Sequence, residues 1–260
     1  MRLQDKVTVV TGGGSGIGAA ICRAFAAEGA RVAVTDLRSE GAEQVAAEIR
    51  ATGGRADAWP KVDVAERATV ERAADEIAAR FGPADIWVNN AGISRVVPFM
   101  ECTDDLWNAI LRINLTGTFI GCQAALRQML PRQQGVILNM SSQSGKAGNS
   151  QYAAYCASKF GIIGLTQSLA MEYAHDGIRV NALCPGVVWT TLWDEQHVGD
   201  YGRKRSMKPD EVRPYLESKA PLGRLCTPED VAGTAVFLAS DAAAYITGQA
   251  INISGGSVMH

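Results

Sequence analysis

Tyr155 and Lys159 stand four residues apart in the stretch QYAAYCASK at 151–159. On a helix that spacing puts both side chains on one face, about 6 Å apart along the axis. A phenol with a pKa of ~10 is a poor base at neutral pH, and a neighbouring cation stabilises its phenolate. The pair is suited to take the proton of an alcohol hydroxyl, or return it to a ketone, while hydride moves to or from a second molecule. Tyr152 is seven residues from Lys159, about 10.5 Å along the same axis. It is too remote to share the ammonium and reads as a pocket or packing residue.

A hydride partner needs a site of its own. Thr11-Gly12-Gly13-Gly14-Ser15-Gly16-Ile17-Gly18 follows an apolar β-branched run and leads into a helical segment. Glycines at 12, 16 and 18 let the backbone turn sharply and approach a pyrophosphate, which then faces the N–H groups and dipole of the helix. Ser15 and Ile17 lie in the same turn. Asp36 closes the second β-branched run, where a carboxylate accepts hydrogen bonds from the adenosine ribose and repels the 2′-phosphate of NADP. Ser15 is neutral and Leu37 follows the aspartate, so no cation stands at either position, although Arg38 is nearby. NAD is the expected cofactor. Asp63 and Val64 are placed for the adenine edge, and Asn90, Ala91 and Gly92 for close packing beside the cofactor.

These groups must be held by a scaffold. Strands are expected at 7–11, 31–36, 55–62, 85–89, 135–140, 179–184 and 250–253, and helices near 17–28, 40–51, 66–80, 103–130, 152–174 and 228–239. Several strands are continuous apolar runs, as parallel strands buried on both faces require. Strand–helix alternation implies an α/β fold: one Rossmann-like, doubly wound parallel sheet of about seven strands with helices on both faces. No linker divides residues 1–260, which are expected to form a single NAD-binding catalytic domain. The one long irregular insertion, 189–227, reads as a substrate lid, with Trp189, Leu192 and Trp193 placed to cover or pack it. The basic residues Arg203, Lys204, Arg205 and Lys208 read as a solvated turn, the alternative being a patch that steers a sugar phosphate.

The bulk properties narrow the classes. A 47% hydrophobic content allows a substantial core, and a net charge of −2 gives no reason to expect nucleic acid or a membrane surface. Six cysteines without a CxxC pair and three histidines without metal-ligand spacing point to no metal site and to thiols in a reduced compartment. No export signal is visible, and no apolar run approaches the ~20 residues of a spanning helix. A cytoplasmic location is expected.

TGGGSGIG, NNAG at 89–92, Asn114, Ser142, Tyr155xxxLys159 and Pro185-Gly186 occur together in the order and spacing of the short-chain dehydrogenase/reductase family, which the chain resembles over essentially its whole length. The resemblance implies a catalytic set of Asn114, Ser142, Tyr155 and Lys159. In it Ser142 hydrogen-bonds the substrate oxygen and Tyr155 transfers the proton. Lys159 lowers the tyrosine pKa and holds the nicotinamide ribose, and Asn114 positions a water linking the lysine to solvent. Ser141 is one residue out of register. Pro185, Gly186, Val188 and Thr190 match the loop that holds the nicotinamide carboxamide. The family lines its substrate pocket between Ser142 and Tyr155, where Gln143, Asn149 and Gln151 supply amides for hydroxyls. Together with PGVVWTTLW and TGQAINISGG, this segment resembles the polyol and vicinal-diol dehydrogenases. The alternatives are NADPH-dependent reduction of 3-oxoacyl thioesters, or a nucleotide sensor without catalysis. Relatives usually pair through the helices at 103–130 and 152–174, so a homo-oligomer, dimer or tetramer, is expected.

Overall fold

A computed structural model describes residues 1–190, 193 and 198–260. Its seven strands are β1 (Val7–Thr11), β2 (Arg31–Thr35), β3 (Arg55–Trp59), β4 (Ile86–Asn89), β5 (Gly135–Met140), β6 (Ile178–Pro185) and β7 (Ala250–Ile253). They form one sheet in the order β3-β2-β1-β4-β5-β6-β7, with every pairing parallel. The helices are α1 (Gly16–Ala27), α2 (Ser39–Ala51), α3 (Arg67–Phe81), α4 (Asp104–Leu111), α5 (Gly117–Met129), α6 (Ala153–Tyr173), α7 (Val198–Arg205), α8 (Pro209–Lys219) and α9 (Pro228–Ala239).

Alternate strand residues supply two separate cores. Val10, Val32, Val34, Ile86, Val88, Leu138 and Leu183 pack with α1, α2 and α9 on one face. Val9, Ala33, Trp87, Ile137 and Val180 pack with α3, α5 and α6 on the other. Both faces are covered, which is why these strands read as unbroken apolar runs. The doubly wound sheet expected from the sequence is the fold observed.

The element boundaries depart from expectation where the backbone has a local reason. β3 stops at Trp59 rather than running to residue 62, because Pro60 follows and Lys61 has φ of +58°. The helix expected over 103–130 is interrupted by a π-turn, Arg112–Thr116, between α4 and α5, a widening often found at functional sites. Insertion 189–227 is not wholly irregular, since α7 and α8 lie within it. Leu192 lies outside the described residues. The run Asp104–Arg132 is by length and composition long and apolar enough to cross a bilayer, contrary to the sequence expectation. More than half of its apolar window is buried within the protein, as in a core helix.

A buried polar chain ties β4, β5 and α6 together. Trp87 Nε1 donates to Asn89 Oδ1 at 2.9 Å, Asn89 Nδ2 to Asn139 Oδ1 at 2.9 Å, and Asn139 Nδ2 to Thr166 Oγ1 at 3.0 Å. Gly121 on α5 makes room for it: a Cβ there would lie 2.0 Å from Asn89 Oδ1 and 3.1 Å from Trp87 Nε1. Gly121→Ala is expected to destabilise the fold by about 2–3 kcal/mol through overpacking and the broken bond. A thermal melt should show Tm lower by about 5–10 °C.

Candidate active site

The order of the strands reverses between β1 and β4, and ligands of such sheets bind at the carboxyl edge of that switch point. Asn90 fastens the two strand ends there: its backbone N–H donates to Thr11 Oγ1 at 3.0 Å and its Nδ2 to the Thr11 and Gly12 carbonyls at 2.9 and 3.1 Å. Above them opens a cleft of about 1320 Å³, beyond the roughly 300–1,000 Å³ of a pocket for one small ligand.

The glycine turn forms one end of the cleft. Gly12 has φ of +62°, and Gly18 carries the start of α1 so close to the turn that a Cβ would lie 2.1 Å from the Gly12 carbonyl oxygen. α1 begins at Gly16 with no acidic residue in its first turn, and the Ser15 side chain makes no capping bond. Its first N–H groups are left for an anion. Asp36 is 8% exposed and is held by the backbone N–H groups of Gly14 at 3.0 Å and Arg38 at 2.9 Å. The Arg38 guanidinium reaches across to Ser15 Oγ, 3.3 Å away, placing a cation closer to the turn than the sequence suggested.

α6 brings Tyr155 and Lys159 to the opposite wall. Lys159 is 4% exposed, and burial lowers its ammonium pKa to about 8, with Cys184 opposing in part. Its Nζ donates to the Met140 carbonyl at 2.7 Å and lies 5.6 Å from the centre of the Tyr155 ring. Burial raises the Tyr155 phenol above its ordinary value, and the Ser142 hydroxyl beside it pulls the other way. The Lys159 ammonium lies over the face of the Tyr155 ring, and in the chain alone burial is the largest influence on the phenol.

The two neighbouring serines divide their work by the alternation of a strand end. Ser141 Oγ donates to the Lys159 carbonyl at 2.9 Å and so fastens α6 to β5. Both serines border the cleft, and the Ser142 hydroxyl accepts from the Ser144 N–H at 3.1 Å. Asn114, in the π-turn, is fully buried. Its Oδ1 accepts from the Ile93 N–H at 2.8 Å, and its Nδ2 donates to the Ile93 carbonyl at 2.9 Å and to Ser158 Oγ at 3.0 Å. Asn114 thus pins the loop after β4 to α6. Gly92 lies between Asn114 and Lys159; a Cβ there would come 3.1 Å from the amide oxygen and 3.6 Å from Nζ.

The site residues named from sequence line this one cleft, apart from Gly18, Asn114, Gln151 and Trp189. Gly18 and Asn114 support it from behind. Gln151 has φ of +64°, and its carbonyl accepts from the Val97 N–H at 2.9 Å. Trp189 stacks on Trp193, ring centres 5.7 Å apart, beneath the Arg213 guanidinium at 5.3 Å; only Trp193 of the two lines the cleft. Sequence reasoning missed Tyr201, Tyr215, Leu216 and Lys219 of α7 and α8 as cleft residues, and read Arg205, which lines the cleft with them, as part of a solvated turn although Arg203, Lys204 and Arg205 lie in α7. The recurrence of aromatic and basic residues in that segment was the only sign of them.

A parallel sheet with a glycine turn at its switch point, facing a buried lysine–tyrosine wall, defines the class of dinucleotide-dependent oxidoreductases of the doubly wound fold. A family profile described as enoyl-(acyl carrier protein) reductase matches residues 12–258. The D-threitol dehydrogenase of Mycolicibacterium smegmatis is 45% identical over 98% of this chain and 94% of its own. The sorbitol dehydrogenase of Cereibacter sphaeroides is 38% identical over the full length of both. Among solved structures, a variant of actinorhodin polyketide ketoreductase with NADPH superposes with a TM-score of 0.94 at 36% identity, covering 97% of each chain. The chain belongs to the short-chain dehydrogenase/reductase family, and is an oxidoreductase that works with a nicotinamide cofactor.

Proposed function

We propose that this protein is an NAD-dependent dehydrogenase that interconverts a secondary hydroxyl of a sugar alcohol or vicinal diol with the corresponding ketone. The observation that carries the reading is the convergence of Ser142, Tyr155 and Lys159 on one wall of a cleft whose other end is the glycine turn with Asp36. The full-length likeness to threitol and sorbitol dehydrogenases supports the substrate class.

The residues present fit a nicotinamide dinucleotide. Gly12, Ser15, Gly16 and Ile17 would hold its pyrophosphate against the start of α1, Asp36 and Leu37 its adenosine ribose, and Asp63 and Val64 its adenine. Asn90, Ala91 and Gly92 would flank it, with Gly18 supporting the turn. Tyr155 and Lys159 would hold the second ribose, and Pro185, Gly186, Val188 and Thr190 the carboxamide. When bound, the cofactor supplies the hydride acceptor or donor.

Ser142 donates to the substrate oxygen and fixes its position. Tyr155 accepts the hydroxyl proton in oxidation and returns it in reduction. Lys159 contributes positive charge on the far side of the phenol ring, and Asn114 holds α6 in place through Ser158. Gln143 and Asn149 line the same cleft as hydrogen-bonding groups for substrate hydroxyls. Trp193, stacked within a lid cluster with Tyr201, Val212 and Leu216, closes the far side. In this proposal residues 1–260 act as one catalytic domain with the lid at 189–227.

A second reading, NADPH-dependent reduction of 3-oxoacyl thioesters, draws on Arg38 beside Ser15 and on the family description. The Asp36 carboxylate favours NAD, since a 2′-phosphate would meet a fixed negative charge at the ribose. Asp36→Ala is expected to raise kcat/KM with NADP about tenfold or more relative to NAD, because it removes that repulsion while leaving Arg38. An unchanged NAD/NADP ratio would count against the ribose assignment. The substrate class is tested with a panel of sugar alcohols, diols and their ketones, followed as NADH and NADPH absorbance.

The exposed Phe119, Phe160 and Met171 give α5 and α6 an apolar outer surface, which supports pairing as a homodimer or homotetramer through these helices. The six cysteines are free, which suits a reducing cytoplasm.

A further inference from the structure

Tyr152 has no part in the mechanism above, yet it lines the same cleft. It stands immediately ahead of α6 and is 7% exposed. Its ring meets that of Tyr155 edge-on, with centres 6.1 Å apart and planes at 60°, so the two phenols adjoin on one wall. From the lid, Lys204 of α7 places its ammonium 5.5 Å from the centre of the Tyr152 ring and donates to the Ser150 carbonyl. A cation over the ring face restricts how the ring can turn.

No hydrogen bond from a described residue reaches the phenol oxygen of Tyr152, and it is not among the fully buried polar atoms that lack a partner. With the residue on the cleft wall, its O–H is available to a molecule bound there. Burial, and then the neighbouring phenols of Tyr201 and Tyr155, push its pKa up. At neutral pH it remains an O–H donor. The two tyrosines differ in their neighbours: Tyr155 lies beside Ser142 and beneath Lys159, and Tyr152 lies beneath Lys204.

We propose that Tyr152 is a specificity-determining residue that hydrogen-bonds a second substrate hydroxyl, on the carbon next to the one that reacts, and that Lys204 is the positioning residue that holds its ring. The inference rests on the dehydrogenase reading above and deepens it: the substrate must carry hydroxyls on adjacent carbons. A site built to pair a substrate hydroxyl discriminates strongly against the analogue without it, because the protein group is then left unsatisfied.

The test compares 2,3-butanediol and a four-carbon sugar alcohol with 2-butanol, which lacks the second hydroxyl. Tyr152→Phe is expected to lower kcat/KM for the diol and the polyol about 10–100-fold, mainly through KM, while 2-butanol changes by less than about 3-fold. Cofactor affinity, read by NADH fluorescence titration, should not move. Lys204→Met should shift the same selectivity in the same direction by less, and Lys204→Arg should retain it, since a guanidinium also stacks on the ring. Equal losses on diol and mono-alcohol, or no loss on either, would overturn the inference while leaving the dehydrogenase reading intact. A wild-type enzyme no more active on the diol than on 2-butanol would overturn both. The Lys204 variants keep the test decisive should Tyr152→Phe fold poorly, because Lys204 lies in the lid, away from both cores.

Discussion

Tyr155→Phe is expected to lower kcat about a thousandfold or more, within the range assigned to a lost general acid–base group. The substitution removes a single oxygen. The ring keeps its edge contact with Tyr152 and its place under the Lys159 ammonium, so neither the fold nor the cleft has cause to change. Cofactor affinity should fall by no more than about tenfold, the cost of one ribose hydrogen bond, and Tm should stay within a few degrees, which separates lost chemistry from lost structure. The pH dependence carries a second signature. Burial holds the wild-type phenol above its ordinary pKa, so it stays protonated through neutral pH. Alcohol oxidation needs the deprotonated form and should accelerate as pH rises, whereas ketone reduction needs the protonated form and should not. The Tyr155→Phe residual rate should lose this opposition. A variant that kept wild-type turnover would remove Tyr155 from the mechanism.

Lys159→Met should cost about 10²–10³-fold in turnover with little loss of stability. The protein holds this ammonium against desolvation: its pKa falls from 10.5 to about 8, a penalty on the order of 3 kcal/mol at neutral pH. Methionine removes the penalty but leaves the Met140 carbonyl without its donor, worth about 1–3 kcal/mol. The two changes offset, and Tm should move by less than about 5 °C. The sign of the pH effect follows from linkage. Between about pH 8 and 10.5 the unfolded chain binds this proton more tightly than the folded one, so folding stability gains as pH rises through that window. Below pH 8 both states are protonated and the penalty is complete. The variant should lose this contribution to the pH dependence of stability, which a series of thermal melts between about pH 7 and 10.5 would show. A large fall in Tm would show instead that the lysine is needed to hold α6 to β5.

The period-2 exchange of side chains explains why the sheet was legible from sequence. With helices on both faces, every residue of β1 and β5 is buried, and the strands read as mostly apolar runs. The glycine turn was legible because its conformation excludes side chains at Gly12 and Gly18, whatever the rest of the chain does. The Tyr155–Lys159 spacing was legible because helical geometry is local. Other positions were not. The π-turn at Arg112–Thr116 depends on Asn114 bonding to Ile93 and Ser158, which lie far from it in the chain. Gln151 carries the same amide as Gln143, yet its positive φ and its bond to Val97 belong to a different surface from the cleft.

The sequence by itself determined the doubly wound α/β class, the glycine turn and the pairing of Tyr155 with Lys159. Each depends on contacts within a few residues or on a strict periodicity. Only the tertiary structure decided how Ser141 is tied to α6, how α7 and α8 bring cations and aromatics to the cleft, and where the Lys159 ammonium points. It also separated the two tyrosines by their surroundings. Tyr155 sits between Ser142 and Lys159, while Tyr152 sits beneath Lys204 with its hydroxyl open to the cleft. Those distinctions come from segments remote in sequence that meet only when packed, and side-chain chemistry is set by the neighbours so assembled.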